Sequence, residues 1–182
     1  MALPHAILVS LSEQSGTGYE LARRFDRSIG HFWSATHQQI YRTLRTMETD
    51  GWVHVTEVVQ QGRPDKRVYT VADAGRAHLA AWIAAPLRGA ADSRTRDLAV
   101  KLRGLQFGDA DAPAALREQI VTLRSERAAL LDTYRGYEKT QFADPAALAG
   151  ATLHQHLVLR GGIRAEQSTV DWLDEILEAL GA

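Results

Sequence analysis

The sequence contains no cysteine. Disulfide bonds, iron–sulfur clusters, zinc sites with thiolate ligands and thiol catalysis are therefore excluded. Long apolar runs are also missing, since the richest, Leu79 to Ala85, is far shorter than the roughly 20 residues of a membrane-spanning helix. The apolar stretch from Ala6 to Leu11 has no preceding Lys or Arg, which argues against a signal peptide. We therefore expect a cytoplasmic protein without a membrane segment.

An excess of charge of one sign is missing as well. The 182 residues carry 21 basic and 22 acidic side chains, a formal net charge of −1. This balance excludes a protein whose whole surface is basic. Two short segments nevertheless carry +2 each: residues 34–47 contain two Arg and no acid, and residues 61–67 contain three cations and one acid. Any polyanion would therefore bind to a localised surface.

The sequence pattern changes around residues 87–93. Residues 1–86 contain all the segments that resemble β-strands, and residues 94–182 have a helical pattern almost throughout. The intervening Leu-Arg-Gly-Ala-Ala-Asp-Ser is typical of a linker. We predict two domains, 1–86 and 94–182, in a mainly α-helical protein with a small β-hairpin.

Three helices are predicted before the hairpin. Pro4 suits the first turn of a helix that buries Ile7, Leu8 and Leu11. A turn at 15–18 leads into the second helix, and the third begins near Ser34, a good N-cap residue. The third helix has a buried stripe, and Gly51 suits the position just after its last turn. The stripe consists of Ile40, Leu44 and Met47.

A hairpin and a fourth helix complete the first domain. The β-branched and aromatic residues of Trp52–Val59 and Lys66–Val71 indicate two strands joined by a projecting loop. The fourth helix points Leu79, Trp82 and Ile83 inward. Three helices, a hairpin and another helix, in this order, are typical of a winged helix-turn-helix domain, which we predict for residues 1–86.

The outward face of the third helix carries side chains suited to a DNA groove. With Ile40 pointing inward, Gln38, Arg42, Arg45 and Thr49 lie on the opposite face, and Tyr41 lies at its flank. Gln pairs with adenine, Arg with guanine, and a Tyr hydroxyl with phosphate. The alternative is an ordinary solvated helix face.

The tip of the hairpin is stiff and cationic. Gly62 and Pro64 shape the turn, and Arg63, Lys66 and Arg67 supply positive charge for the sugar-phosphate backbone or a minor groove. The alternative is a loop that protects a sheet edge. The candidate DNA-binding residues are Thr36, His37, Gln38, Gln39, Tyr41, Arg42, Arg45, Arg63, Lys66 and Arg67.

Residues 1–86 resemble the winged-helix domain of the PadR family of transcriptional regulators. The matching stretches are Ala-Ile-Leu-Val-Ser-Leu at 6–11, Gly-Tyr-Glu-Leu at 18–21, Phe-Trp-Ser at 32–34, Ile-Tyr-Arg-Thr-Leu at 40–44, Glu48, Asp-Gly-Trp-Val at 50–53, Gly-Arg-Pro at 62–64 and Val-Tyr-Thr-Val at 68–71. The resemblance implies DNA contacts by residues 36–42 and by the hairpin cations. One departure is Ala72, where the family usually has Thr; Asp73 is then the nearer helix cap.

The second half contains two apolar seams. One follows a heptad pattern from Leu116 and includes Arg127, and the other runs from Val170 towards the carboxyl terminus. The seams satisfy each other within one chain or pair with a second protomer, and we expect the second arrangement. Arg127 either fixes the helix register or lies at a solvated rim, and the rim is favoured. The candidate dimerisation residues are Leu116, Ile120, Leu123, Leu130, Tyr134, Val170, Trp172, Leu173 and Leu177.

These helices resemble the carboxy-terminal, virulence-activator-like domain of the larger PadR-type regulators. The resemblance implies a homodimer. Two winged helices related by two-fold symmetry read a palindromic operator, with half-sites about 34–36 Å apart or a multiple of that distance.

No combination of residues indicates catalysis or a metal or cofactor site. His154 and His156 are two residues apart, so their side chains diverge on a helix. Trp33, Trp82 and Trp172 are candidates for a pocket that binds a small aromatic effector, since flat ligands stack on such rings. Aromatic residues at helical spacing are also typical of an ordinary core.

The sequence therefore predicts a non-enzymatic function. We predict a homodimeric, sequence-specific DNA-binding transcriptional regulator, a repressor that a small aromatic effector relieves. The alternative is a winged-helix protein-interaction or assembly module that does not bind DNA.

Overall fold

The computed structural model describes residues 3–27, 35–59, 65–89 and 91–181. It confirms the mainly helical fold with a small antiparallel sheet. The elements are α1 (Leu3–Glu13), β1 (Gly16–Thr17), α2 (Gly18–Arg27), α3 (His37–Thr49), β2 (Val53–Val58), β3 (Lys66–Val71), α4 (Asp73–Ala84), α5 (Ala91–Gly104), α6 (Ala112–Gln141) and α7 (Gly150–Gly181). Short 3-10 turns occupy Leu105–Phe107 and Pro145–Ala147.

The chain forms two compact units, an N-terminal unit of residues 1–116 and a C-terminal unit of residues 117–182. Helix α1 lies at the centre of the N-terminal unit, where it contacts α2, α3, α4, α5 and β3. Every residue from Ala6 to Leu11 is buried. A helix that is apolar on all sides is stable only when neighbours cover it completely. The apolar stretch near the amino terminus is thus the central core helix.

Helix α3 begins at a reciprocal pair of hydrogen bonds. The hydroxyl of Thr36 accepts from the backbone N–H of Gln39, and the Gln39 side-chain oxygen accepts from the backbone N–H of Thr36 at 2.9 Å. Thr36 is therefore the N-cap, and the predicted start near Ser34 was wrong; Ser34 itself lies outside the described residues. The predicted buried stripe is confirmed, and Gly51 follows the helix with a φ of 72° that favours glycine.

The sheet has three strands in the order β1-β3-β2. Strands β2 and β3 form the predicted hairpin, in which Val53 lies opposite Val71 and Val58 lies opposite Lys66. Strand β1 pairs with β3 through Gly16 and Thr17, where the sequence predicted only a turn. A strand of two residues is too short to show an alternation of apolar and polar side chains in the sequence. It forms because its backbone pairs with the edge of β3. The predicted hairpin tip, residues 60–64, lies outside the described residues.

Helix α4 begins without a side-chain cap. Its N-cap is Ala72, and Asp73 is the first helical residue, so the expectation that Asp73 is the cap was wrong. The Asp73 carboxylate instead accepts hydrogen bonds from Arg76 on the same helix. Gly75, one turn in, lies directly against the backbone carbonyl of Trp52 and leaves no room for a Cβ.

Helix α5 packs on the N-terminal unit, which differs from the predicted division at 87–93. Val100 belongs to the core around α1. The buried ammonium of Lys101 donates to the carbonyl oxygens of Ile83 and Ala85 at the end of α4. Arg103 pairs with Glu13 at 2.7 Å. The compact unit therefore extends to residue 116, because contacts distant in sequence attach α5 to α1 and α4.

In the C-terminal unit, α6 and α7 run antiparallel. Arg124 pairs with Asp174 at 2.9 Å, and Glu138, further along α6, accepts from His156, which lies earlier in α7. Five of the residues predicted to contact a second protomer are buried within the chain, at 0–5% exposure: Leu116, Ile120, Leu123, Val170 and Leu173. Their role in dimerisation stays a prediction. Leu130, Tyr134, Trp172 and Leu177 are half-buried.

Arg127 is buried rather than at a solvated rim. It is 8% exposed, and its guanidinium lies 3.3 Å from the Glu166 carboxylate. The rim interpretation was therefore wrong, and the arginine is part of the contact between α6 and α7. Helix α7 continues through Gly161 and Gly162, and the ring of Tyr134 covers Gly162. None of the helices in the described part of the chain is long and apolar enough to cross a membrane.

Four rings form a column in the N-terminal unit. His78 stacks on Trp52 at 3.9 Å and lies beside His5, which stacks on Trp82 at 4.1 Å between ring centroids. The two His Nε2 atoms are 3.2 Å apart, so one ring donates a hydrogen bond and the other accepts it. Burial, followed by the nearby positive charge of His78 and Lys101, lowers the pKa of His5 to about 3.

Replacement of Gly75 by Ala should destabilise the N-terminal unit. The new Cβ would collide with the Trp52 carbonyl, and forced overpacking costs about 1 to 3 kcal/mol. Gly161→Ala is the matched control, because nothing lies near that position and Ala in an open helix interior gains about 0.5 to 1 kcal/mol over Gly. Urea unfolding measures both. Equal stability of the two variants would contradict the close contact.

Stability should fall below pH 6.5 because of His5. The unfolded chain binds a proton at the ordinary pKa of 6.5, whereas folded His5 stays neutral until about pH 3, so acid favours unfolding across this window. His5→Phe keeps a ring and removes the titration, so its unfolding midpoint should fall less between pH 7.5 and 4.5 than that of the parent. His154→Gln, at an exposed histidine, is the control. A parallel fall in parent and His5→Phe would refute the assignment.

Candidate nucleic-acid interface

Helix α3 presents a continuous polar face to solvent. Gln38, Arg42, Arg45 and Thr49 are all exposed, and we call these four residues the reading face. Tyr41, at its flank, is 41% exposed. The face points outward because the buried stripe of α3 packs into the core that surrounds α1. No acid forms an ion pair with Arg42 or Arg45 within the described residues, so both charges are available to a partner.

The first turn of α3 contains two residues with a structural role. Thr36 and Gln39 were predicted to bind DNA, but their side chains bond to the helix backbone in the capping pair. His37, which was also predicted to bind DNA, is exposed. Capping fixes the position of the helix start, and thereby the side chains of Gln38 in the first turn and Arg42 in the second.

We define the wing as β2, β3 and their connecting loop. Two of its three predicted cations, Lys66 and Arg67, lie in the described part of the chain. Lys66 is exposed at the start of β3. Arg67 is bonded to Glu48 of α3, with its Nη2 at 2.8 and 3.0 Å from the two carboxylate oxygens. Arg63 lies outside the described residues. The sequence predicted the strand but gave no signal for the Arg67 partner, which is 19 residues away.

A cleft of about 610 Å³ separates α2, α3 and β3. Tyr19 and Arg23 of α2 face Tyr41, Arg45 and Lys66 across it. Tyr19 is 59% exposed, and the Arg23 guanidinium lies 5.9 Å from the centre of its ring. These two α2 residues were missed by the sequence analysis, because only the folded arrangement places them beside the reading face.

Two local contacts shape this cleft. Glu20 accepts hydrogen bonds from the backbone N–H and the hydroxyl of Thr17, at 2.8 and 3.0 Å, which hold the pKa of the Glu20 carboxyl below its usual value. The same pair caps α2, just as Thr36 and Gln39 cap α3. Gly18 lies so close to the Tyr41 ring that a Cβ would overlap it, so this glycine makes the Tyr41 position accessible.

The three predicted effector residues belong to different parts of the chain. Trp33 lies outside the described residues. One face of Trp82 is covered by His5, and Lys101 lies 5.3 Å from its ring centre. Trp172 is half-buried on α7 in the C-terminal unit. Among the described residues, no group of three or more His, Asp or Glu side chains is placed to bind a metal ion; His156, in particular, is bonded to Glu138.

Two family models match this sequence. The transcriptional regulator PadR-like family matches residues 7–81, which include α1 to α3, the wing and most of α4. The virulence activator alpha C-terminal family matches residues 96–181. The boundary between the matches lies near the predicted linker, whereas the compact units divide at residue 116. The boundary between the family matches and the boundary between the compact units are therefore not the same. Most of α5 and the start of α6 lie between them.

Relatives align along the whole chain. The probable transcriptional regulator Rv1176c of Mycobacterium tuberculosis is 67% identical, with 99% of this chain and 98% of the relative covered. The negative transcriptional regulator PadR of Bacillus subtilis is 28% identical, with 96% and 95% covered. A crystal structure of that PadR with operator DNA is 24% identical, covers 99% of each chain and superimposes with a TM-score of 0.45. A crystal structure of the same PadR with p-coumaric acid is 23% identical, with 100% of this chain and 96% of the other covered, and superimposes with a TM-score of 0.43.

The identity to Rv1176c over nearly the full length establishes the relationship without reference to the superpositions. It agrees with the capped α3, its exposed polar face and the adjacent wing. The chain therefore belongs to the PadR-like family of transcriptional regulators, a family of DNA-binding proteins and not of enzymes.

Proposed function

We propose that the protein is a homodimeric repressor that binds a palindromic operator with α3 and the wing. The observation that carries this proposal is the reading face, an exposed row of Gln and Arg side chains on a helix held rigidly by its cap. Arginine and glutamine are the residues that distinguish guanine and adenine in a major groove. The name of the Bacillus subtilis relative, a negative regulator, supports repression. A regulator acting on the bacterial chromosome works in the cytoplasm.

Gln38 and Arg42 are the proposed base-reading residues. Both follow the N-cap within two turns, and recognition helices contact base edges with their amino-terminal residues. Tyr41, Arg45 and Lys66 line the adjacent cleft, where their hydroxyl, guanidinium and ammonium groups suit phosphate oxygens. Thr36 and Gln39 serve by fixing the helix start, and Arg63 completes the wing cations.

A second protomer is proposed to bind through the outer surface of α7. Leu157 and Val158 are 58% and 77% exposed, and the apolar seam that the sequence assigned to dimerisation is used within the chain. Adjacent exposed aliphatic residues on a long helix are typical of a protein contact. Two-fold symmetry would then place the two α3 helices in successive major grooves, about 34–36 Å apart.

Regulation by a small aromatic effector completes the proposal. Family membership supports it, since the resemblance to PadR-type regulators implies a sensor of phenolic compounds. Trp172 remains a candidate contact because it is half-buried on α7. Addition of a phenolic acid to the binding assay described next should weaken the DNA complex; unchanged affinity would remove phenolic acids from the proposal.

The double variant Gln38→Ala with Arg42→Ala should lose specific DNA binding. Each lost bidentate contact to a base costs about 1 to 3 kcal/mol, so affinity for the DNA upstream of the protein's own gene should fall by at least about tenfold. Fluorescence anisotropy at several salt concentrations measures this affinity, and a steep salt dependence identifies phosphate contacts. The matched control is Gln106→Ala with Arg117→Ala, at exposed residues outside α3, the wing and α7.

Tight, saturable and salt-sensitive binding by the α3 double variant would refute the reading-face assignment. A parent protein without salt-dependent affinity for this or neighbouring promoter DNA would instead favour the alternative function, a protein-interaction module. The control variant guards against a general effect of removed charge, because it lowers the net charge of the protein by the same amount.

Glutamate at both Leu157 and Val158 should convert the dimer into a monomer. Buried like charges oppose association, and the exposed positions leave the folded chain intact. Sedimentation velocity measures the oligomeric state, and DNA affinity should fall with it because one winged helix contacts only a half-site. Thr152→Glu is the control on the same helix. A variant that remains dimeric would show that another surface forms the dimer.

A further inference from the structure

The guanidinium of Arg67 is held on two sides within the chain. Its Nη2 lies 2.8 Å from one carboxylate oxygen of Glu48 and 3.0 Å from the other. The ring of Tyr69, two residues along β3, lies 5.9 Å from the guanidinium carbon. A guanidinium already paired with a carboxylate carries little net charge towards a phosphate. Lys66, the neighbouring wing cation, has no such partner among the described residues.

This ion pair joins the two elements that face DNA. Glu48 belongs to the last turn of α3, and Arg67 lies opposite Glu57 in the outer half of the hairpin. The reading face and Glu48 are thus on one rigid helix, while Arg67 and Lys66 are adjacent on one strand. A bond between Glu48 and Arg67 therefore fixes the wing cation relative to the base-reading residues.

The root of the wing is fixed separately, by the backbone. The N–H of Trp52 donates to the Met47 carbonyl at 2.8 Å, and the N–H of Ala72 donates to the Trp52 carbonyl at 3.0 Å. A strand of six residues extends about 20 Å from this root, at roughly 3.3 Å per residue. A small rotation at the root therefore moves the outer end by several ångströms unless a second contact opposes it. Strand β1 pairs with β3 at Val68 and Tyr69, and the Glu48–Arg67 pair adds a contact one residue further from the root.

We infer that Arg67 is a positioning residue, which locks the wing to α3 through Glu48, and not a phosphate ligand. This inference rests on the proposed function, in which α3 and the wing bind one operator half-site. It gives the Glu48 carboxylate, which lies near the proposed DNA-binding surface, a role that favours DNA binding. An unpaired acid at this position would oppose the approach of phosphate, whereas the paired acid fixes the geometry at little electrostatic cost.

A positioning pair should affect the DNA affinity of the protein more than its stability. Both side chains are partly exposed, at 44% for Arg67 and 36% for Glu48, so the pair contributes little to global stability. Its loss should leave the unfolding midpoint nearly unchanged and act instead on DNA affinity. Because the pair acts as a unit, removal of either partner should weaken binding, and removal of both should cost less than the sum of the two single effects.

Glu48→Gln, Arg67→Gln and the double variant test this by fluorescence anisotropy over a range of salt concentrations. A positioning role predicts that all three weaken operator binding on the order of tenfold, which is within the coupling range of contacting residues. Arg67→Gln should be affected most, because it leaves the Glu48 carboxylate unpaired. The slope of log affinity against log salt should stay unchanged, because no phosphate contact is lost. Arg76→Gln is the control, since it removes an arginine of the Asp73–Arg76 pair on α4.

A phosphate ligand predicts the opposite pattern. Arg67→Gln would then lower the salt slope by about one unit. Glu48→Gln would preserve or strengthen binding, because it frees the guanidinium for the backbone. Either result would overturn the inference. Charge reversal adds an independent check: Glu48→Arg combined with Arg67→Glu should restore affinity lost by Arg67→Glu alone, and failure of this rescue would contradict the positioning role.

A measurement without DNA separates this inference from the proposed function. Hydrogen exchange of the β2 and β3 amides in the free protein should be faster in Glu48→Gln than in the parent, while the α1 amides stay equally protected. If the parent binds no DNA, the proposed function fails, and hydrogen exchange still reports whether Glu48 holds the wing. Unchanged protection of both strands would overturn the inference, whatever the DNA result.

Discussion

Complete burial of residues 6–11 in α1 is the constraint on which the N-terminal unit depends. A helix that is apolar on all sides cannot contact water, so α2, α3, α4, α5 and β3 must surround it. Each surrounding helix then turns its own apolar stripe inward and its polar face outward. The reading face of α3 is exposed for this reason. The proposed DNA-binding surface is thus a direct consequence of how the core is covered.

Local polar contacts convert this exposed surface into a defined one. Threonine caps fix the starts of α2 and α3, Gly18 makes room for Tyr41, and the Glu48–Arg67 pair connects α3 to the wing. Such contacts contribute little to global stability, yet recognition of bases requires side chains at defined positions. The balanced net charge agrees with this design, because Arg23, Arg45 and Lys66 line one cleft beside the reading face.

The C-terminal unit shows how polar residues change the use of an apolar pattern. Arg127 and Glu166 lie within the seam between α6 and α7, and Arg124–Asp174 and Glu138–His156 lie along it. These pairs occur between two helices of one chain, so the heptad pattern is satisfied without a partner. Leu157 and Val158 remain exposed on the outer side of α7. A heptad pattern therefore predicts a helix pair but does not specify whether its members belong to the same chain.

The sequence by itself determined the features that arise from neighbouring residues: the helices, the stripe of Ile40, Leu44 and Met47, the hairpin, the turn at Gly51 and the resemblance to the PadR family. Local periodicity and backbone preferences suffice for these. Only the tertiary structure decided that β1 is a strand, that α5 joins the N-terminal unit, that Arg127 is buried and that Arg67 is paired. Each depends on a partner distant in the chain, as Glu166 is from Arg127, and sequence patterns within one element carry no information about which residue lies opposite.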